Sequence, residues 1–353
     1  SAQVLKQGEV QGSDVAAHSA GVLDIKTTIL PDADALFLTA IDRYGHELWR
    51  WTFPVNKLNQ ANEVLSPLSN KVTSTETENE LTVKAKNHTF IFSKKDGQLK
   101  GVSVNNRKIS FANGPRFIGA RRADRSLDQF YNHDDEKAKE KDRTYSEFPD
   151  AAVFTKLDVK EDGGNLIVTA NYKLGNLDKV QWTINPNGEA VLDYTYNFSG
   201  VVDLMGICFD YPEDQVISKR WLGAGPYRVW QNRIHGTQYD VWENDYNDPI
   251  PGETFTYPEF KGYFGSVSWM NIRTKEGTIS LTNETPDAYI GVYQPRDGRD
   301  RLLYTLPESG ISVLNVIPPV RNKVNSTDLC GPSSQPKWVN GPQSGRIIFR
   351  FME

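Results

Sequence analysis

Between Trp221 and Trp242 the chain reads WLGAGPYRVWQNRIHGTQYDVW. Gly223, Gly225 and Pro226 form a tight turn at a strand end. Aromatic and cationic side chains then alternate closely: Tyr227, Arg228, Trp230, Arg233, His235, Tyr239 and Trp242. Aromatic faces stack on the apolar C–H face of a sugar, and Arg or Asn can each bridge two adjacent hydroxyls. Trp230, Arg233 and Trp242 are therefore candidate carbohydrate-binding residues. The structural alternative is a sheet edge where Trp and Arg pack on one another as cation–π pairs.

Other chemistry is poorly represented. Two cysteines, Cys208 and Cys330, cannot build a disulfide framework, and no C-x-x-C occurs. His18, His46, His88, His133 and His235 are scattered without metal-ligand spacing. No metal or other cofactor is expected. Lys and Arg total 40 against 45 Asp and Glu, a net charge of −5. That balance disfavours a nucleic-acid partner, which needs excess positive charge to neutralise phosphates. No stretch approaches the ~18–20 apolar residues of a membrane-spanning helix, so no membrane partner is expected. Sequons at Asn87, Asn197, Asn283 and Asn325 carry meaning only in a eukaryotic secretory setting. The chain opens Ser1-Ala2-Gln3 without an apolar signal segment, as expected of a mature product or a portion of something longer. An extracytoplasmic location would suit glycan foraging.

The elements that must position these residues are strands. Apolar or alternating runs occur at Val22–Leu30, Ala35–Tyr44, Leu81–Ser93, Leu99–Val104, Asn165–Tyr172, Val180–Ile184, Ala190–Phe198, Gly262–Ile272, Ile311–Ile317 and Arg346–Phe351. Turn pairs fall between them: Asp96-Gly97, Asn105-Asn106, Gly163-Gly164, Asn187-Gly188 and Glu276-Gly277. These residues supply the positive φ that tight hairpins need. The pattern predicts an all-β sandwich or barrel and not βαβ units. Charged Ser126–Lys141 is the one predicted helix, read as a solvated helix or loop.

Composition divides the chain. Residues 1–55 hold three or four strands, too few for a core of their own. Residues 56–77 are polar and read as a linker. Residues 78–353 carry continuous strand signal and read as one large antiparallel domain.

The segment 221–242 resembles the C-terminal domain-five or small-chain region of the family 2 β-galactosidases. There a W-L-G-x-G-P turn is followed by Tyr-x-Asp-Arg and Asp-x-Trp. Here Trp221–Pro226, Trp230–Arg233 and Asp240–Trp242 follow one another in that order. Phe255–Gly262 and Val267–Trp269 resemble later family elements, Asn87–Gly101 and Pro115–Asp128 earlier ones. The resemblance covers roughly residues 78–353. It implies a supersandwich of galactose-mutarotase type, two large antiparallel sheets face to face. Residues 1–55 resemble the last strands of the preceding immunoglobulin-like sandwich. In the family an upstream (β/α)₈ barrel holds the two catalytic carboxylates, and this sequence has no βα repeats to build one. The resemblance thus implies a non-catalytic portion of a glycosidase that buttresses the barrel of the same polypeptide and binds carbohydrate, by default a β-galactoside.

The resemblance also implies that Trp338, on the late loop 325–341, is a sugar platform over the barrel's active site. The alternative is that Trp338 folds back and caps the sandwich edge. Arg228, Trp230 and Asn232 stand where the family has Glu, Tyr and Asp, which bears on sugar specificity. Two other functions are compatible with the residues. One is a free-standing carbohydrate-binding module built around Trp230 and Trp242. The other is an aldose mutarotase, which would need His235 as acid and Glu243 or Glu259 as base.

Overall fold

The five predicted turns each close a hairpin. Asn105 and Asn106 both have positive φ, 48° and 64°, and Gly163 and Gly164 lie at 57° and 89°. Short amide side chains and glycine tolerate that left-handed backbone, so the chain reverses there within two residues. The computed structural model describes residues 3–55, 71–122, 145–148, 150–245, 262–292, 307, 309–319 and 331–353. The predicted helix Ser126–Lys141 lies outside the described residues.

Strands are numbered in chain order. β1 (Ala35–Ile41) and β2 (Glu47–Pro54) form a two-stranded antiparallel hairpin. A ten-stranded sheet among the described residues takes β3 (Thr73–Glu76), β4 (Glu80–Ala85), β5 (His88–Ser93), β6 (Leu99–Val104), β7 (Arg107–Ile109), β8 (Ala112–Arg122), β9 (Tyr145–Glu147), β14 (Leu204–Asp210), β19 (Tyr289–Val292) and β20 (Ile311–Val316). Its order is β19-β20-β14-β8-β6-β5-β4-β3, with β7 beside β6 and β9 beside β8. A nine-stranded sheet takes β10 (Val153–Asp162), β11 (Asn165–Lys173), β12 (Leu177–Ile184), β13 (Ala190–Val202), β15 (Val216–Gly225), β16 (Gln238–Asp245), β17 (Trp269–Thr274), β18 (Gly277–Asn283) and β21 (Lys337–Met352). Its order is β10-β11-β12-β13-β21-β18-β17-β15-β16.

The two large sheets bury their inner faces against each other, as a sandwich must. At the centre Phe349 of β21 lies 5.2 Å from Phe111, 5.7 Å from Phe209 and 5.9 Å from Trp182, centroid to centroid. All four rings are fully buried. At one end the turn after β17 locks the layers: the Glu276 carboxylate accepts from the Ser110 amide (2.9 Å), the Ser110 hydroxyl (2.6 Å) and the Tyr211 hydroxyl (3.1 Å). The architecture is all-β, two large antiparallel sheets face to face, as expected. Among the described residues no helix is long and apolar enough to cross a membrane.

Three local expectations need correction. Val22–Leu30 forms no strand and joins no ladder among the described residues; Val22 is 90% exposed, and an apolar run without a partner strand gains no ladder. The first segment therefore has two strands among its described residues, not three or four. Thr73–Glu76, read as linker, is β3 and pairs with β4. It lies at the sheet edge with every residue exposed, so a polar composition serves it well. The hairpin β1–β2 leans on the edge strand β16, with Arg50 Nη1 3.6 Å from Asp240 Oδ2.

Truncating Phe349 to Ala should remove the ring on which three others pack. We expect a loss of about 3–5 kcal/mol in chemical denaturation, whereas a loss near zero would mean that the sheets do not meet there. Cys208 on β14 is buried, which pushes its thiol up to about 11 against the opposing pull of Arg116, whose Nη2 is 3.8 Å away. In a Cys330→Ser background, Cys208 should resist a thiol reagent at pH 8 until the chain is unfolded in urea. Rapid labelling of the folded chain would contradict this burial.

Candidate carbohydrate-binding site

Trp221 and Trp242 face each other across β15 and β16, in register. Trp221 is fully buried and meets Phe264 edge-on at 4.8 Å. Its indole N–H donates to the Ala224 carbonyl at 3.0 Å. Trp242 is partly buried against the main core, and its indole N–H donates to the Gln238 carbonyl at 3.0 Å. A Cβ on Gly225 would collide with the Trp242 ring. Gly223 is also close-packed: a Cβ there would stand 3.0 Å from the backbone of Gly265 and of Val267. Neither glycine is required for a positive φ; both are required for space. The expected tight turn is therefore corrected: Gly223 and Gly225 are strand residues of β15, paired with Asp240 and Gln238, and the motif is a packing device that brings two tryptophans and a neighbouring strand together.

Trp230 is corrected as a sugar platform. Its exposure is 0%, and it sits in a second core cluster with Val229, Leu314 and Ile317, edge-on to Tyr263 at 5.7 Å. A ring enclosed on every side has no free face for a sugar. Position 230 follows Val229, which exchanges two backbone hydrogen bonds with Tyr263 and so draws the segment inward. Arg228 is also buried, with its guanidinium 5.7 Å from the Phe264 ring. This part of the motif is interior, and the cation–π contact there is of Arg228 with Phe264, not of Arg with Trp at a sheet edge.

Arg233 is exposed and ends a tight turn, its amide donating to the Trp230 carbonyl at 2.9 Å. The same turn reaches a distant part of the chain. Gln231 donates through Nε2 to the carbonyls of Ser333 (2.9 Å) and Gln335 (2.7 Å). Asn232 Nδ2 donates to Ser334 Oγ at 3.3 Å. Those acceptors immediately precede β21, which carries Trp338. The structure therefore brings the Arg233 turn and the start of the Trp338 strand together, and leaves Trp242 on the edge strand β16.

Trp338 is not at a loop tip. It is the second residue of β21, opposite Val201 of β13. The Gly-Pro-Ser run that reads as a projecting loop ends in a short 3-10 turn at Pro332–Ser334, and β-pairing resumes at Lys337. Residues 325–330 of the expected loop, with Cys330, lie outside the described residues. Trp338 is 71% exposed, so the capping alternative is excluded. On the same outward face, two residues on, Asn340 accepts a hydrogen bond from the Ser199 hydroxyl at 2.8 Å. A broad indole thus stands beside an amide and a hydroxyl, the elements of a sugar-stacking patch. Sequence reasoning missed Asn340, Ser199 and Gln231; the pairing of β13 with β21 sets Ser199 opposite Asn340, and Gln231 reaches the backbone at Ser333 and Gln335, ahead of β21.

The His235–Glu243 pair proposed for a mutarotase is not formed. His235 and Glu243 are both exposed, and no hydrogen bond or ion pair joins them. Glu259 and the Phe255–Lys261 element lie outside the described residues. Among the described residues no group of three or more His, Cys, Asp or Glu is placed to hold a metal ion.

Two large antiparallel β-sheets packed face to face define a β-supersandwich protein. The family model of the β-galactosidase small chain matches residues 84–317, more than half of the chain. The chain belongs to that family. Solved structures with a similar arrangement include a galactose 1-epimerase from Lactobacillus acidophilus, 9% identical, covering 81% of this chain and 99% of that one, with a TM-score of 0.44. An aldose epimerase homologue from C. elegans is 9% identical and covers 80% and 99%, with a TM-score of 0.38. A galactose mutarotase-like protein from Lactobacillus casei is 10% identical and covers 79% and 99%, with a TM-score of 0.32. At such scores these likenesses say nothing about what this chain binds or turns over. No curated protein matches the chain.

Gly225→Val should force the Trp242 ring out of its place, at about 1–3 kcal/mol. Trp242→Leu in the same chain should recover part of that loss, because the smaller side chain vacates the contested space. Equal melting temperatures for Gly225→Val and the unaltered chain would show that the strands can part freely.

Proposed function

We propose that the chain is the non-catalytic, carbohydrate-binding portion of a family 2 β-galactosidase. In this reading it buttresses a catalytic barrel encoded upstream in the same polypeptide and presents Trp338 to the sugar. Residues 1–55 contribute the last strands of an immunoglobulin-like sandwich, and residues 78–353, extended by β3, form the supersandwich. The observation that carries the proposal is Trp338: an indole 71% exposed on the outer face of a long strand, opposite Val201 of β13, in a chain of the β-galactosidase small chain family. Water gains nothing from so large an apolar face, and a pyranose ring covers it well. The strand holds the indole by a continuous ladder, so little conformational freedom is lost when ligand arrives.

The exposed Arg233 stands on the turn that contacts the residues before β21, and serves as a hydrogen-bond donor for sugar hydroxyls. Trp242 contributes by shaping the strand edge. The partner is a glycan with a β-galactoside as the default, and chemistry is left to the barrel's two carboxylates.

The test has two arms. The chain alone, given nitrophenyl β-galactoside, should hydrolyse it at the background rate. Turnover that survives repurification and vanishes on changing one of its own carboxylates would defeat the proposal, as would polarimetric evidence of anomer exchange by the chain. In the complete enzyme, Trp338→Ala should lower kcat/KM about 5- to 150-fold, equivalent to about 1–3 kcal/mol. The melting temperature should stay within about a degree, because an exposed side chain contributes little to folding. Normal kinetics with a lowered melting temperature would reject the platform role.

A further inference from the structure

Gln231 ties the buried Trp230 turn to the strand bearing Trp338. Its amide group uses both of its N–H hydrogens, on the Ser333 carbonyl at 2.9 Å and the Gln335 carbonyl at 2.7 Å. Its backbone N–H donates to the Pro318 carbonyl at 3.0 Å. One residue thus holds the chain on both sides of residues 320–330. The amide orientation follows from its partners: two carbonyl acceptors require the nitrogen end, since an oxygen there would face oxygen. Asn232 adds a contact to Ser334 at 3.3 Å.

Filling space does not account for this residue. Gln231 is 9% exposed, and its amide oxygen is buried with no hydrogen-bond partner among the described residues. A methionine would occupy a similar volume without leaving a buried oxygen unsatisfied. The polar group is useful for what its nitrogen holds. The need for such a hold is also visible in the ladder. β18 flanks β21 only as far as Asn283 opposite Ile347, with one further backbone bond from Glu284 to the Arg346 carbonyl. From Gly345 back to Lys337, β13 is the one strand partner among the described residues. Trp338 therefore sits where the strand is held from one side, and the Gln231 contacts begin three residues before it, at Gln335.

We propose that Gln231 is a positioning residue for Trp338: by clamping the backbone at Ser333 and Gln335 it fixes where the indole is presented to the sugar. The proposal rests on the reading that Trp338 meets sugar. Without the clamp the turn at 331–336 gains freedom, and ligand must order it on binding, which weakens affinity.

The test uses the complete enzyme that carries this chain, its two barrel carboxylates changed to amides so that lactose binds without turnover, with 5-fluorotryptophan labelling and lactose as probe. The Trp338 fluorine resonance is assigned by its loss in Trp338→Phe. Gln231→Met should shift or broaden that resonance while those of the core residues Trp182 and Trp221 stay in place. Lactose affinity should fall about 3- to 10-fold in Gln231→Met, and should fall no further when Gln231→Met is added to Trp338→Ala. A residue that matters only for folding would give an additive loss instead, and that result would overturn the proposal. An unmoved Trp338 resonance in Gln231→Met would overturn it too. If Gln231→Met does not fold, Gln231→Asn, which keeps the donors on a shorter arm, is read in the same way. If Trp338→Ala binds lactose as the unaltered chain does, the platform reading itself fails and takes the role of Gln231 in binding with it. Loss of the Trp338 dependence and loss of the Gln231 coupling are thus separate results.

Discussion

The pairing of β13 with β21 is the constraint on which the rest depends. It runs without interruption from Ala190 opposite Phe349 to Val202 opposite Lys337. Strand geometry makes this one stiff element with two uses. At its C-terminal half the inward side chains Ile347, Phe349 and Phe351 are fully buried and meet the aromatic side chains of the facing sheet. At its N-terminal half the outward side chains Trp338, Asn340, Pro342 and Ser344 are exposed. Alternation of side chains along a strand fixes both facts together. A shift of register by one residue would bury Trp338's face and expose Phe349. The core therefore determines which way the indole points.

Around that strand the two sheets are held by aromatic contact in the middle and by polar contacts at the periphery. Glu276 receives three donors from the facing layer. His88 Nε2 lies 2.8 Å from the Phe351 carbonyl, joining β5 to β21. Gly188 leaves room for that ring, since a Cβ there would run into His88 Nδ1. Such contacts are directional, and they fix the lateral placement that hydrophobic burial alone leaves free.

The hairpin β1–β2 follows a different logic. Trp49, Trp51 and Phe53 alternate along β2 and are 52%, 43% and 47% exposed. Opposite them on the same face stand Ala40, Leu38 and Leu36. An isolated two-stranded hairpin is marginal in water, and this one is supported along β16 through Arg50 and Asp240. Its apolar face suits the inner layer of a sandwich of more strands, in keeping with the immunoglobulin-like origin proposed for residues 1–55.

Local signals in the sequence were enough for the hairpins. Asn-Asn, Gly-Gly and Asn-Gly pairs force reversals by backbone preference, and alternation marks the faces, so the five turns were legible, with β4, β5, β6, β11, β12, β13, β17, β20 and the end of β21, whereas β8, β10, β14 and β18 were not. Residue type also announced the all-β class and the order of the W-L-G-x-G-P motif. Exposure was not legible, because it depends on what arrives from far along the chain. Trp230 and Trp338 are the same residue type in similarly polar, Gly- and Pro-containing surroundings, yet one is enclosed and the other open. Val229 pairing with Tyr263 closes the first, and the register of β21 on β13 turns the second to the outer face. Thr73–Glu76 reads as linker and is a strand, because an edge strand needs only one partner and no apolar face. Gln231 could not be recognised from its neighbours, since the carbonyls it holds lie about a hundred residues away. The sequence by itself thus determined the turns, the all-β class and the kinship with the β-galactosidase small chain. Tertiary structure alone decided which aromatics face water, because burial is a property of contacts between distant segments and not of the residue that is buried.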